Sequence, residues 1–307
     1  MNLMKNWITY LSVLMTSVSF AQQDAIYSQY IFNQSIINPA YVGSRNSMSA
    51  VLLHRTRWVG FDGAPTTSTF SYGTNLQKNN MAWGGNFIAD RLGPTTNIIA
   101  NVSGAYHLKM RSARLAFGLR LGVFNSSLNT SKLELKDPTD ILNGSGQRES
   151  ALLPSLDFGM YYYTRRFFVG LSLNHLGASK FKFDSYENAT FPLNNFNTLT
   201  AGYAFQVADN IVLKPSIMFK QSVDFDSNLD INLNALFYKR VWFGISVRTK
   251  ISINAILEVN ITDYMRFGYS YDFFLNGLQQ ASGGAHEFFI GFDFVKDKTE
   301  TISPRLL

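Results

Sequence analysis

The sequence predicts an all-β protein, a transmembrane outer-membrane β-barrel of about fourteen antiparallel strands. Three observations predict it. From about Met48 onward, apolar and polar residues alternate with period two, the pattern of strands with one greasy and one wet face. The connections between those stretches are by turns tight and long. Aromatics reach 15% while charged residues are only 16%, against about 25% charged in an average soluble protein, yet no run of about 18 apolar residues offers a membrane helix.

The first residues set the compartment. Lys5 precedes a moderately apolar stretch, Trp7 to Phe20, which ends in Ser19-Phe20-Ala21. About 14 residues interrupted by Thr9, Ser12, Thr16 and Ser17 are too few to span a bilayer. Residues 1–21 are therefore expected to be a cleaved signal peptide. No cysteine follows, or occurs anywhere, which excludes a lipid anchor at that point, a disulfide scaffold and a Cys-rich zinc fold.

Residues 22–47 stand outside the period-two pattern. Pro39 and Gly43 punctuate any strand there, and Tyr27, Tyr30, Ile31 and Phe32 would be costly to leave in water. A barrel of this size has a lumen wide enough to need filling. The expectation is a plug or hatch folded back into the lumen, with Tyr27, Tyr30, Phe32, Asn38, Pro39 and Tyr41 carrying it.

The barrel is expected over 48–296. Strands are read near 49–58, 66–75, 81–89, 95–107, 112–126, 155–164, 166–175, 196–206, 209–221, 227–238, 241–249, 251–261, 264–273 and 286–296. Asn228 to Tyr238 shows the pattern: Leu229, Ile231, Leu233, Ala235 and Phe237 alternate with Asp230, Asn232 and Asn234. Connections after even strands are tight, as at Leu108–Arg111 and Thr262–Asp263. Those after odd strands include all the long ones, Ser127–Pro154, Leu176–Asn195 and Phe274–Ala285. Short periplasmic turns against long outer loops are the asymmetry of outer-membrane barrels. Trp58, Trp83, Tyr161–Tyr163, Tyr238, Trp242, Tyr264 and Phe273 fall near strand ends, where interfacial girdles sit. Residues 297–307 are polar and read as a periplasmic tail.

Chemical motifs are sparse. His54, His107, His175 and His286 lie on four different strands, without metal-site spacing. His175, near the outer end of its strand beside a serine and with a distant aspartate, could in principle seed a barrel hydrolase, but such residues are common and only geometry could make them one. Gly144-Ser145-Gly146 lacks the Lys-Ser/Thr of a phosphate loop. Asp137 with Asp140, and Asp224 with Asp226, read as solvated loop charge rather than calcium ligands. The net charge of +6 comes from scattered, turn-borne Lys and Arg, which does not suit nucleic acid. Nothing requires a cofactor or a metal, and no enzyme is expected.

One stretch is out of place: His54-Arg55-Thr56-Arg57-Trp58-Val59-Gly60-Phe61-Asp62-Gly63-Ala64-Pro65. Gly60, Gly63 and Pro65 fix a backbone path, and Arg55, Arg57, Trp58 and Phe61 supply anchor-type side chains. It is read as a partner-binding outer loop, or else as a girdle Trp beside lumen-lining arginines.

Several fragments in order resemble the PorP/SprF family of outer-membrane proteins associated with type IX secretion in Bacteroidetes. They are Asp24-x-x-Tyr27-Ser28-Gln29-Tyr30, Asn38-Pro39-Ala40-Tyr41, His54-Arg55 through Pro65, Gly93-Pro94-Thr95, Ala105-Tyr106-His107-Leu108, Pro154-Ser155-Leu156-Asp157-Phe158-Gly159, Leu213-Lys214-Pro215-Ser216, Gly268-Tyr269-Ser270-Tyr271-Asp272 and Gly284-Ala285-His286-Glu287. Ala285 stands where serine is expected in the family. Asn38-Pro39-Ala40 also resembles the N-terminal hatch motif of fourteen-stranded FadL-type barrels. The resemblance implies a non-enzymatic barrel of the secretion and gliding apparatus. Such a barrel exports or anchors one cognate surface protein or adhesin through that protein's C-terminal sorting domain, amid outer-membrane lipid and other secretion components. The alternative is a FadL-like channel for a small apolar molecule. Against that alternative, Arg120, Asn232, Asn234, Asn254, Glu258, Arg266 and Asp272 suggest a polar lining.

Overall fold

The computed structural model describes residues 25–45, 47–76, 80–132, 148–177, 180–182, 190–222, 227–275 and 282–295. The signal-peptide reading of 1–21, the Gly144 loop, the two aspartate pairs and the 297–307 tail lie outside them.

Fourteen antiparallel strands close into a barrel. They are β1 (Ser47–Arg57), β2 (Thr66–Leu76), β3 (Met81–Leu92), β4 (Thr95–Lys109), β5 (Arg114–Asn129), β6 (Arg148–Tyr163) and β7 (Phe167–Asn174). β8 runs over Phe196–Tyr203 and resumes as Phe205–Ala208; then follow β9 (Ile211–Ser222), β10 (Asn228–Phe237), β11 (Val241–Arg248), β12 (Ser252–Asn260), β13 (Met265–Phe274) and β14 (Ala285–Val295). Each pairs with the next, and β1 closes on β14 from Ser47↔Val295 to Arg57↔Ala285. The break in β8 has a local cause. It falls between the pairs Gly202↔Ser216 and Phe205↔Leu213, where Pro215 of β9 has no N–H for the ladder. A short hairpin, Lys180–Lys182 with Thr190–Pro192, decorates the β7–β8 connection.

The burial pattern is inverted relative to a soluble sheet. On β10, Ile231 and Leu233 face outward and are about half exposed, whereas Asp230, Asn232 and Asn234 are buried. On β11, Phe243, Ile245 and Val247 are exposed while Ser246 and Arg248 are buried. Water cannot be the solvent of such an outer face, because every strand would present an apolar stripe to it; lipid can. The polar positions expected to line the lumen, Arg120, Asn232, Asn234, Asn254, Glu258, Arg266 and Asp272, are all buried.

Connections sort by end as well. Those beside Ser47 and Val295 span 77–80, 110–113, 164–166, 209–210, 238–240 and 261–264, whereas the opposite end carries 130–147 and 175–195. Tyr238 and Lys239 both adopt positive φ, 50° and 55°, the signature of a tight type I′ hairpin turn. The girdle expectation needs one correction. Trp83, Tyr238, Tyr264 and Phe273 are exposed, but Tyr161, Tyr163 and Trp242 are buried. They sit at inward parity on their strands, so the period that made them strand residues also sends them into the lumen.

Candidate functional site

Residues 25–45 run inside the ring of strands. They form three single-turn 3-10 helices, Tyr30–Phe32, Gln34–Ile36 and Pro39–Tyr41, too short to bury an apolar face on one another. Tyr27, Tyr30, Phe32, Asn38, Pro39 and Tyr41 are all buried. The aromatics meet rings from the wall: Phe32 lies 5.9 Å from Trp242 and 6.2 Å from Phe289, and Tyr41 packs edge-on to Tyr161 at 5.3 Å.

Polar ties carry most of the specificity. At the start of the segment, the Glu287 carboxylate accepts the backbone N–H groups of Ser28 (2.9 Å) and Gln29 (2.8 Å). Arg55 donates to Glu287 at 2.9 Å and to Ser28 Oγ at 2.8 Å, and pairs with Asp272. Ser28 Oγ in turn donates to Asp272 at 2.7 Å. Arg248, paired with Asp230 at 2.7 Å, donates to the Tyr27 carbonyl at 3.0 Å. Asn232 donates to the Tyr30 hydroxyl at 2.7 Å. Burial first, and then the Asp230 carboxylate, push that phenol well above its ordinary pKa, so it stays protonated. Arg45 and Arg266 both donate to the Phe32 carbonyl, at 2.7 and 3.2 Å. Arg120, 3.2 Å from Asp157, reaches the carbonyls of Ser35 and Ile36.

The Asn38-Pro39 bend is held differently. Asn38 caps the third helix, its Oδ1 accepting Ala40 N–H at 2.9 Å, and Pro39 takes the first helical position where a missing N–H costs nothing. Asn38 Nδ2 donates to the carbonyls of Met160 (3.0 Å) and Leu171 (3.2 Å). The wall beneath is glycine: a Cβ at Gly118 would sit 2.3 Å from Ala40 N, and one at Gly159 2.2 Å from Asn38 Oδ1. These two glycines face each other in the β5–β6 ladder. His107 completes the hold by donating Nε2–H to the Val42 carbonyl at 2.8 Å while Nδ1 meets the Tyr163 hydroxyl at 3.0 Å.

The first wide-end loop divides the residues singled out there. Arg55 does not belong to it. Its side chain is 1% exposed and ties the N-terminal segment, because an odd position on β1 faces the lumen. Arg57 is half-buried and lies 5.1 Å from the Trp58 ring. Pro65 is buried and its carbonyl accepts Arg57 N–H at 2.9 Å. Gly60 and Gly63 carry φ of 101° and 69°, a path glycine takes without strain, while Trp58 is held at a φ of 52°, which a bulky side chain rarely adopts. Val59 exchanges two backbone bonds with the last loop, to Gly284 O (3.2 Å) and from Gly283 N–H (2.7 Å), while Gly93 N–H donates to Gly63 O at 2.9 Å. The outcome is a loop clamped on both sides that leaves Phe61 43% exposed.

The structure places Ser155 Oγ 2.9 Å from His175 Nδ1. However, Asp157 directs its carboxylate at the His175 backbone N–H (2.9 Å) and at Arg120, not at the imidazole, so the relay geometry of a hydrolase is not assembled. Glu287, Gly118 and Gly159 were not singled out as site residues by the sequence. Glu287 had a signal, a lone carboxylate at inward parity.

Fold and face together define an outer-membrane β-barrel with a polar, occupied lumen. The sequence pattern of the type IX secretion system membrane protein PorP/SprF family matches residues 19–292, and the chain belongs to that family. A comparison with curated proteins found no match. Among solved structures, the Ralstonia pickettii toluene transporter TbuX aligns at 11% identity over 84% of this chain and 92% of its own, with a TM-score of 0.51. The monoaromatic hydrocarbon channel CymD aligns at 13% over 89% and 93% (TM-score 0.49), and a Pseudomonas aeruginosa FadL homologue at 9% over 82% and 89% (TM-score 0.47). At such identities the likeness to TbuX establishes the barrel fold alone.

Proposed function

We propose that this chain is a non-enzymatic barrel of the type IX secretion apparatus that binds a cognate exported surface protein at its wide-loop end and helps export or hold it. The observation that carries the reading is the clamped first loop. Its backbone is fixed by bonds to both neighbouring loops, so Phe61, beside the half-buried Arg57–Trp58 stack, is presented at little ordering cost, as an interface anchor needs to be. Residues 25–45 serve in this reading as a plug that keeps the lumen closed while the partner is engaged outside. Passage of a small apolar molecule fits less well, since the lumen is lined by buried Asn, Arg and carboxylates and crossed by the N-terminal segment.

The test is a Trp58→Ala/Phe61→Ala double substitution, scored by surface display of the exported partner at equal barrel level. Burying one such aromatic contributes about 2 kcal/mol or more at an interface. Display is expected to fall at least tenfold with the barrel intact. Unchanged display would leave these residues a girdle role only.

A further inference from the structure

At the short-turn end, opposite the clamped loop, a cavity of about 450 Å³ opens between the N-terminal segment and strands β9 to β14. That is within the roughly 300–1,000 Å³ of small-ligand sites. Phe32 and Trp242 give it an apolar flank; Lys214, Arg45, Arg266 and Glu258 give it a charged one. Most of those charges are satisfied. Arg45 and Arg266 share Asp293 at 3.2 and 3.0 Å, and Arg266 lies 3.7 Å from Glu258 Oε1. At the rim, Arg240 faces Asp263 at 3.7 Å.

Three groups are left over: Lys214, Glu258 and the buried Nη2 of Arg266, which has no hydrogen-bond partner. Lys214 is 1% exposed and its ammonium lies over the faces of Phe168 (5.8 Å) and Trp242 (5.7 Å), with Arg45 and Glu258 as charged neighbours but, among the described residues, no hydrogen bond or ion pair of its own. Glu258 is 3% exposed and its Oε2 has no hydrogen-bond partner. A buried cation and a buried acceptor without partners are both costly. A ligand that answers them must bring an anionic group for Lys214 and Arg266 Nη2 and an N–H donor for Glu258 Oε2. An apolar body must accompany them for the Phe32–Trp242 flank. Inorganic phosphate brings no apolar body for that flank, and a fatty acid brings no N–H donor.

We propose that this cavity takes the free carboxyl terminus of a peptide whose last residue is apolar. The carboxylate meets Lys214 and Arg266 Nη2, the last amide N–H meets Glu258 Oε2, and the side chain lies against Trp242. This goes beyond the loop-based reading above and does not depend on it, because the two sites lie at opposite ends of the barrel.

Calorimetric titration of the full-length barrel in detergent with acetyl-Ala-Ala-Leu tests it. Saturable binding is expected, weakened at least tenfold for the same peptide as its C-terminal amide and at least tenfold for 4-methylpentanoate, which keeps the acid but lacks the N–H. Lys214→Met should weaken the acid to the level of the amide. Should that variant lose the heat-modifiable mobility of a folded barrel, the acid, amide and 4-methylpentanoate comparison on the natural chain decides alone. No saturable binding, or equal binding of acid and amide, overturns the proposal. Equal binding of 4-methylpentanoate overturns the peptide and leaves a site for small apolar acids.

Discussion

Replacing Glu287 by alanine should loosen the start of the N-terminal segment and leave the barrel standing. The carboxylate is 0% exposed and accepts from Ser28 N–H, Gln29 N–H and Arg55, all at 2.8–2.9 Å. Arg55 keeps Asp272 as its counter-ion, so the substitution does not strand a charge. The two backbone donors lose their acceptor inside a buried environment. Bonds to a charged group contribute about 1.5–3 kcal/mol each, so local docking should weaken by about 3–6 kcal/mol. At about 1.4 kcal/mol per tenfold, the opened population rises by about 10² to 10⁴. Amide hydrogen exchange of the barrel in detergent reads this directly: a peptide covering 25–32 should lose at least a hundredfold of protection, while β10 and β11 keep theirs. Glu287→Gln retains one acceptor oxygen and should lose roughly half as much in free energy. Unchanged protection of Ser28 and Gln29 would refute the reasoning. So would uniform loss across all strands, which would make Glu287 part of the barrel's stability instead.

The natural chain should migrate faster unheated than boiled on a detergent gel, with β-type circular dichroism; a soluble monomer without detergent would contradict the outward apolar face. Deleting Ala25 to Asn38 should keep that heat-dependent mobility but convert a barrel that conducts little in planar bilayers into one that conducts steadily. Equal conductance of the two forms would remove the plug role.

The strand pattern was legible because a barrel with lipid outside and polar groups inside repeats one rule, period two, in almost every strand. Counting those stretches gives fourteen strands, and the connections then sort by length into the two ends that an even number requires. The lumen lining followed from the same parity: Asn232, Asn234 and Asp272 were placed inward by counting alone. Parity misled only where composition was allowed to overrule it. Tyr161, Tyr163 and Trp242 have the chemistry of girdle aromatics and lie near strand ends, yet their positions face inward. Arg55 has the chemistry of the loop anchors beside it, yet its position faces the lumen. What alternation cannot show is who meets whom across the lumen. Glu287 and Ser28 are separated by 259 positions, and no local pattern connects a carboxylate near one end of the chain with two amide groups near the other.

Besides the ties along its middle at Tyr30, Phe32, Ser35 and Ile36, the N-terminal segment is held at its start and at its bend, and this constrains how it can be released. Its start is held by side chains of β1, β11, β13 and β14, through Arg55, Arg248, Asp272 and Glu287. Its bend is held by main chain and glycine on β5 to β7, through Gly118, Gly159 and the carbonyls of Met160 and Leu171. Gly118→Val tests the hold at the bend. A Cβ there meets Ala40 N at 2.3 Å and Pro39 C at 2.5 Å, both main-chain atoms that cannot rotate away. The wall cannot retreat, since β5 is laddered to β4 and β6 on both sides; the Asn38–Ala40 turn must give instead. Exchange protection should then be lost at the Ala40, Tyr41 and Val42 amides, while Ser28 and Gln29 stay protected by Glu287. The Glu287 variant should give the mirror image. If either substitution frees 25–45 as a whole, the segment docks as one cooperative unit and the two-anchor account is wrong.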